Sequence, residues 1–324
     1  MEGNKSPHKK KIIILFIAIA TISCVFFYNY NLLNKINYVP LDEKQELSIS
    51  QEIPKYEETE IINVLLFGLD SLVEGQRSRS DTIMIATLDT KEKKIKLTSL
   101  MRDTYIPIPD RQGNRINSAY AFGGPELAIR TVNENYNMNI QKYVTVDFFS
   151  LEKIINKLGG VEIEIKDYEV KSLNNGIRNL NNLHKDDIDS PLIGESGKHN
   201  LDGRQSVAYS RIRKVGNGDF ERTDRQRTIL TKLIAKISKI NIIEVYSLLN
   251  ILFSEVETNL NKSEIIRFSS IGIRSAKNSV DELRLPYEGT YQHKRIRGMA
   301  VLVPDIDKNK QILHDFIFNR GSYY

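Results

Sequence analysis

The stretch YVTVDFFSLEKIINKLGGVEIEI, residues 143–165, changes its pattern twice within a short span. YVTVDF is rich in β-branched and aromatic residues and reads as a strand. SLEKIINKL reads as a helix, with Ser150 as its N-cap and Gly159 as its stop. VEIEI then alternates, placing Val161, Ile163 and Ile165 on one face of a second strand. Strand, helix and strand in succession predict an α/β chain in which helices cover a sheet.

Working outward, the same alternation continues. EIINVLLFGLD, residues 60–70, is a mostly apolar strand ending at Asp70. DTIMIATLD and KKIKLTSLM are β-rich runs joined by a polar turn, which predicts a hairpin. Pro125, following Gly123 and Gly124, suits the first position of a helix carrying Leu127, Ile129 and Val132. Residues 171–203, rich in Asn, Gly and charge, read as a long surface loop able to flank a site. ERTDRQRTILTKLIAKI is a helix capped by Asp219 or Thr223, with Ile229, Leu230, Leu233, Ile234 and Ile237 directed inward. IIEVYSLLNILF and KSEIIRFSSIGI predict further helices, and the tail from Leu283 carries weak signals. The expected fold is a mixed central sheet covered by helices, formed by residues 60–324 as one domain.

The N-terminus sets the compartment. Residues 1–11 form a basic tail ending in Lys9, Lys10 and Lys11, and residues 12–34 carry no charge. That length predicts one transmembrane helix, retained as an anchor because no small-x-small cleavage site follows it. Lysines on its N-terminal side place the tail in the cytoplasm and everything after Lys35 outside the membrane. Residues 35–59, polar and carrying Pro40 and Pro54, are a juxtamembrane spacer. The single cysteine, Cys24, excludes a disulfide framework and a thiolate metal site. A formal net charge of +5 permits an anionic partner without choosing one.

YSRIRKVGNGDFERTDRQRT, residues 209–228, concentrates guanidinium groups. Alone, such a run is a solvated face with internal Arg–Asp pairs. Its spacing points further. Arg211 and Arg213 project together from an extended segment, while Arg222 and Gln226 share a helix face near its N-terminus. Gly216 and Gly218 let the connection turn. Asp70, Arg79, Asp81, Arg102 and Asp103 lie at strand ends, where loops gather functional groups. Two carboxylates among these arginines suit a hard divalent cation and a pyrophosphate. His184 and His199 read as surface residues.

The ordered blocks GLD, RSDT, SLMRDT, RINSAYAFGGPELAIRTV, YVTVDF, LGGVEIEI, LDGRQSVAYSRIRK and GDFERTDRQR resemble the LytR-CpsA-Psr family over residues 60–240. The resemblance implies an α-β-α fold and a membrane-anchored, extracytoplasmic enzyme of mainly Gram-positive bacteria. Such enzymes move a phosphate-linked glycopolymer, of wall teichoic acid or capsular polysaccharide type, from a polyprenyl-pyrophosphate carrier to peptidoglycan. It implies Asp70 and Asp81 as ligands of Mg²⁺ (or Mn²⁺), and Arg79, Arg102, Arg211, Arg213, Arg222 and Gln226 as the pyrophosphate set. Asp70, Asp81, Arg102 and Asp103 are the expected catalytic residues; by their chemistry, a carboxylate near the metal, Asp70 or Asp103, is expected to assist removal of the acceptor proton. Met101 stands where the family usually has proline, and Ser210 where a larger apolar residue is commoner. The family's apolar lipid tunnel is expected near residues 119–132 and 229–237. A nucleic-acid-binding regulator is disfavoured, because the arginines alternate with acids and lie outside the cell. A non-catalytic lipid-phosphate binder would need the arginines without the paired acids.

Overall fold

The computed structural model describes residues 35–42, 46–51, 60–70, 79–183, 188–239, 248 and 253–318. The expected transmembrane helix, most of the helix expected at 242–253, and His184 lie outside these residues. Among the described residues no helix is long and apolar enough to cross a membrane.

In chain order the strands are β1 (Asn37–Tyr38), β2 (Ile61–Leu69), β3 (Ser80–Asp89), β4 (Lys94–Leu100), β5 (Tyr105–Ile108), β6 (Arg111–Arg115), β7 (Lys142–Asp147), β8 (Val161–Ile165), β9 (Gly197–Leu201), β10 (Glu257–Thr258), β11 (Val280–Leu285), β12 (Tyr291–Ile296) and β13 (Met299–Pro304). The helices are α1 (Asn117–Tyr136), α2 (Phe148–Lys157), α3 (Asp167–Leu183), α4 (Gly203–Ser210), α5 (Asp219–Ile237), α6 (Lys262–Ser275) and α7 (Ile306–Phe318). A mixed sheet of order β1-β10-β7-β2-β3-β4-β11 forms the centre. Its β2, β3 and β4 are successively antiparallel, while β7 runs parallel to β2 and β11 parallel to β4.

Alternation along the strands decides what each face meets. Leu65, Phe67, Ile83 and Ile85 pack with Ile129 and Val132 of α1 and Leu313 and Ile317 of α7. On the other face, Ile95, Leu97, Ala86 and Leu88 meet Leu230 and Ile234 of α5 and Ala276 beyond α6. Each fully buried aliphatic or aromatic side chain contributes about 1.5–3 kcal/mol. Helices therefore cover both faces, as expected.

Several local expectations are corrected. The N-cap of α2 is Asp147 rather than Ser150: Asp147 has extended backbone and its carboxylate accepts the Ser150 N–H at 2.8 Å. VEIEI is a strand with the expected inward face, but it pairs antiparallel with β9 in a separate ribbon instead of joining the central sheet. The supposed loop at 171–203 holds most of α3 and all of β9. Its polar composition conceals Leu173, Ile177 and Leu180, spaced to line one helix face and buried against α2, α4 and α5. Pro125 does open a helical segment as expected, after non-helical Gly123 and Gly124, but α1 also includes an earlier segment from Asn117 on the other side of that kink. Gly218, not Asp219 or Thr223, is the N-cap of α5. In that helix Ile229 and Leu233 are buried, whereas Leu230, Ile234 and Ile237 are partly buried. The weakly signalled tail forms β11, the β12–β13 hairpin and α7.

Candidate functional site

The sheet register builds one end of the site. Leu69 pairs with Ser80 across a bulge after Gly68, so Asp70 and Asp81 follow and begin neighbouring strands at the same edge. β4 runs back antiparallel to β3 and delivers Arg102 and Asp103 to that edge. Leu69 also lies opposite Asp147 on β7, which brings Phe148 alongside. From the other side come Arg211, the C-cap of α4, and Arg222, in the first turn of α5. Arg211 is helical in its backbone, not extended as expected, yet it and Arg213 line the same cavity. Gly216 and Gly218 have positive φ, 64° and 58°, which the turn between α4 and α5 requires.

A cavity of about 440 Å³ opens here. Asp70, Asp81, Arg211, Arg213, Arg222 and Gln226 all line it, so six of the expected site residues converge. The Arg211 Nη2 donates to Asp70 at 2.9 Å, and its guanidinium lies 4.7 Å from the Phe148 ring centre. Asp81 is held by two arginines: Arg102 donates to one oxygen at 2.7 Å and Arg222 to the other at 3.4 Å. Asp219 completes the network, 3.0 Å from Arg222 and 3.6 Å from Arg102. Arg102 does not line the cavity but holds Asp81, which does. Asp103 is one step further out, 3.0 Å from Arg115 and 3.7 Å from Arg102. Arg79 is exposed and does not line the cavity.

The network is electrostatically unfinished. Burial works against the charge on Arg102, but Asp81, Asp219 and Asp103 outweigh it and hold its pKa above the ordinary arginine value. Burial keeps Arg222 below that value, with Asp219 and Asp81 opposing and Arg102 adding repulsion. Burial also raises the pKa of Asp219 despite Arg222 and Arg102. Among the described residues no acceptor satisfies the buried Nε of Arg102 or of Arg222. Around the cavity four cations, Arg211, Arg213, Lys214 and Arg222, face two carboxylates, Asp70 and Asp81. The surplus of cationic side chains suits a polyanion with several oxygens.

The other arginines of 209–228 are structural. Arg225 is buried and donates to Glu169 at 2.7 Å, Glu221 at 2.6 Å and the Ile212 carbonyl at 2.9 Å. It therefore grips the segment between Arg211 and Arg213. Arg227 pairs with Asp224 and Glu282, away from the cavity. Met101 donates its backbone N–H to Leu285 at 2.8 Å, a bond that proline at this position could not make. Ser210 is buried, its hydroxyl donating to the Val207 carbonyl at 2.7 Å.

Ser172, Asn175, Gly176, Asn179, Leu180 and Leu183 of α3 form a wall that sequence reasoning missed by reading a loop. The apolar lining is Phe148, Leu180, Leu183, Ala208 and Ile212. Of the stretches where a tunnel is expected, Ala119, Ile129, Val132, Ile229 and Leu233 are buried in the core, and none lines this cavity. Gly176 allows α3 to approach α4, since a Cβ there would lie 3.1 Å from that of Ala208.

Metal chemistry can be tested on the donor set. Among the described residues no three His, Cys, Asp or Glu side chains converge. Two carboxylates in a cavity lined mainly by cationic side chains fit a hard cation that takes its remaining oxygens from a bound anion and water, as Mg²⁺ does.

Comparison with known proteins agrees with this architecture. The model of the LytR_cpsA_psr family matches residues 24–315. TagU of Enterococcus faecalis, named a polyisoprenyl-teichoic acid–peptidoglycan teichoic acid transferase, is 29% identical over 87% of this chain and 86% of its own. The regulatory protein MsrR of Staphylococcus aureus is 33% identical over 79% of this chain and 74% of its own. The solved structure of TagT bound to LIIa-WTA superposes with a TM-score of 0.67 at 24% identity, covering 87% of this chain and all of that one, and so shares the fold.

Proposed function

Because the chain belongs to the LytR_cpsA_psr family, we propose that it transfers a phosphate-linked glycopolymer, of teichoic acid or capsular polysaccharide type, from a polyprenyl-pyrophosphate carrier to peptidoglycan. The observation that carries this reading is the single cavity joining Asp70 and Asp81 to four cationic side chains and an apolar wall. A pyrophosphate needs the cations, and a polyprenyl chain needs the wall. The uncharged segment 12–34, preceded by three lysines, supports an anchor that leaves this domain outside the cell, beside a membrane-borne donor.

Arg211, Arg213 and Arg222 bind and orient the pyrophosphate, and Gln226 adds a neutral amide. The acceptor hydroxyl oxygen bonds to the phosphorus that carries the polymer. The bond from that phosphorus to the bridging oxygen breaks, and polyprenyl monophosphate leaves. The hydroxyl proton passes to Asp70, which lines the cavity, or to Asp103, which pairs with Arg102 at the same sheet edge. Such transfer depends on positioning and on neutralising the phosphoryl oxygens, not on covalent help from the protein. Asp70 and Asp81 would hold Mg²⁺ or Mn²⁺, which supplies further neutralisation when bound.

The test is transfer of a polyprenyl-pyrophosphate-linked glycopolymer to peptidoglycan by the full chain, with Mg²⁺ and after chelation. Transfer that stops on chelation and returns with Mg²⁺ supports the proposal. Binding of the donor with no transfer would reduce the protein to a lipid-phosphate binder.

A further inference from the structure

Three rings meet outside the donor cavity. The β12–β13 hairpin is fastened to the site's edge, for the Leu302 N–H donates to the Asp103 carbonyl at 3.0 Å. His293 stands opposite Leu302 in the hairpin register, and Tyr291 opposite Pro304. Two apart on one strand, Tyr291 and His293 project from the same face, their ring centres 5.4 Å apart. Phe220, next to Asp219 in the first turn of α5, lies 5.8 Å from Tyr291, tilted by only 30°, and 6.3 Å from His293. The Arg284 guanidinium sits 4.8 Å from the Phe220 ring centre.

Core packing does not account for this group. His293 is exposed, Phe220 and Tyr291 are partly so, and none of the three belongs to an apolar cluster among the described residues. None lines the donor cavity either. Yet backbone links tie the group to Asp219 on one side and Asp103 on the other, the two acids flanking Arg102.

We propose that Phe220, Tyr291 and His293 form a stacking platform for a sugar ring of the acceptor glycan, placing its hydroxyl beside Asp103. This assignment rests on the transfer reading above. A pyranose presents a face of C–H groups that packs on the electron-rich face of an aromatic ring, and imidazole can hydrogen-bond a hydroxyl. With the donor in the cavity, the acceptor must arrive from another side, and this surface is tied through the Leu302 backbone to Asp103, one of the two acids proposed to take its proton.

The experiment titrates the full chain in detergent with an oligosaccharide of alternating N-acetylglucosamine and N-acetylmuramic acid, lacking pyrophosphate. Tyr291→Ala is expected to raise its Kd about tenfold, with Tyr291→Phe near wild type. In transfer assays the same variant raises KM for the acceptor and leaves KM for the donor unchanged. If Tyr291→Ala does not fold, His293→Ala, at the most exposed ring, carries the same comparison. Saccharide affinity unchanged in these variants, or no saccharide binding by the wild type, overturns the platform. Saccharide binding that the variants lose, in a wild type that transfers nothing, upholds the platform and removes the transfer reading instead.

Discussion

Replacing Arg225 by methionine separates the scaffold of the site from its ligands. Arg225 is 3% exposed, and its guanidinium engages Glu169, Glu221 and the Ile212 carbonyl. Glu169, itself 2% exposed, would keep the Lys166 N–H at 2.9 Å but lose the guanidinium that balances its buried charge. Breaking a buried ion pair from one side costs about 3–5 kcal/mol, because the remaining charge is stranded. Against a total stability of about 5–15 kcal/mol, that is a large fraction. In urea the unfolding midpoint should fall by about 1 M or more. Arg225→Met combined with Glu169→Leu should recover most of the stability, since an apolar pair can replace a buried ionic one. It should not recover donor binding, because the Ile212 carbonyl between Arg211 and Arg213 stays released. A loss below about 1 kcal/mol for Arg225→Met, the value of an exposed pair, would refute the reasoning.

Two further outcomes follow from the Asp81 network. Asp81→Ala should abolish Mg²⁺-dependent transfer while circular dichroism shows the fold intact, since Arg222 keeps Asp219 at 3.0 Å; wild-type activity would remove Asp81 from the site. Asp219 holds its proton to higher pH in the folded state than its ordinary value of 3.8, so its contribution to stability is present below that value and is lost as pH rises through the folded pKa. Urea unfolding between about pH 3 and pH 6 should therefore show wild type losing stability relative to Asp219→Asn as pH rises, and a parallel pair of curves would contradict this.

How much of this was legible depended on whether local pattern or tertiary pairing carried the information. The strands through Asp70, Asp81 and Arg102 were readable because long apolar runs leave few alternatives. Antiparallel pairing then forces their polar ends to one edge. Arg222 and Gln226 were readable from helical spacing alone. α3 was hidden because its inward face carries few apolar residues among many asparagines, and with it went the apolar wall. Nor could sequence separate Arg225, which binds backbone and buried acids, from Arg222, which faces the cavity: three apart on α5, they are neighbours told apart only by their tertiary partners. The β12–β13 hairpin, anchored through Leu302 to Asp103, depends on a contact between distant parts of the chain that no local signal announces.

On the proposed function, the cavity beside Asp70 and Asp81 holds a polyprenyl pyrophosphate. Mass spectrometry of lipid retained by the purified full chain tests it most directly. Polyprenyl phosphate or pyrophosphate should accompany the wild type and be lost from Arg211→Ala and Arg213→Ala. The same lipid retained undiminished by both variants would contradict the account.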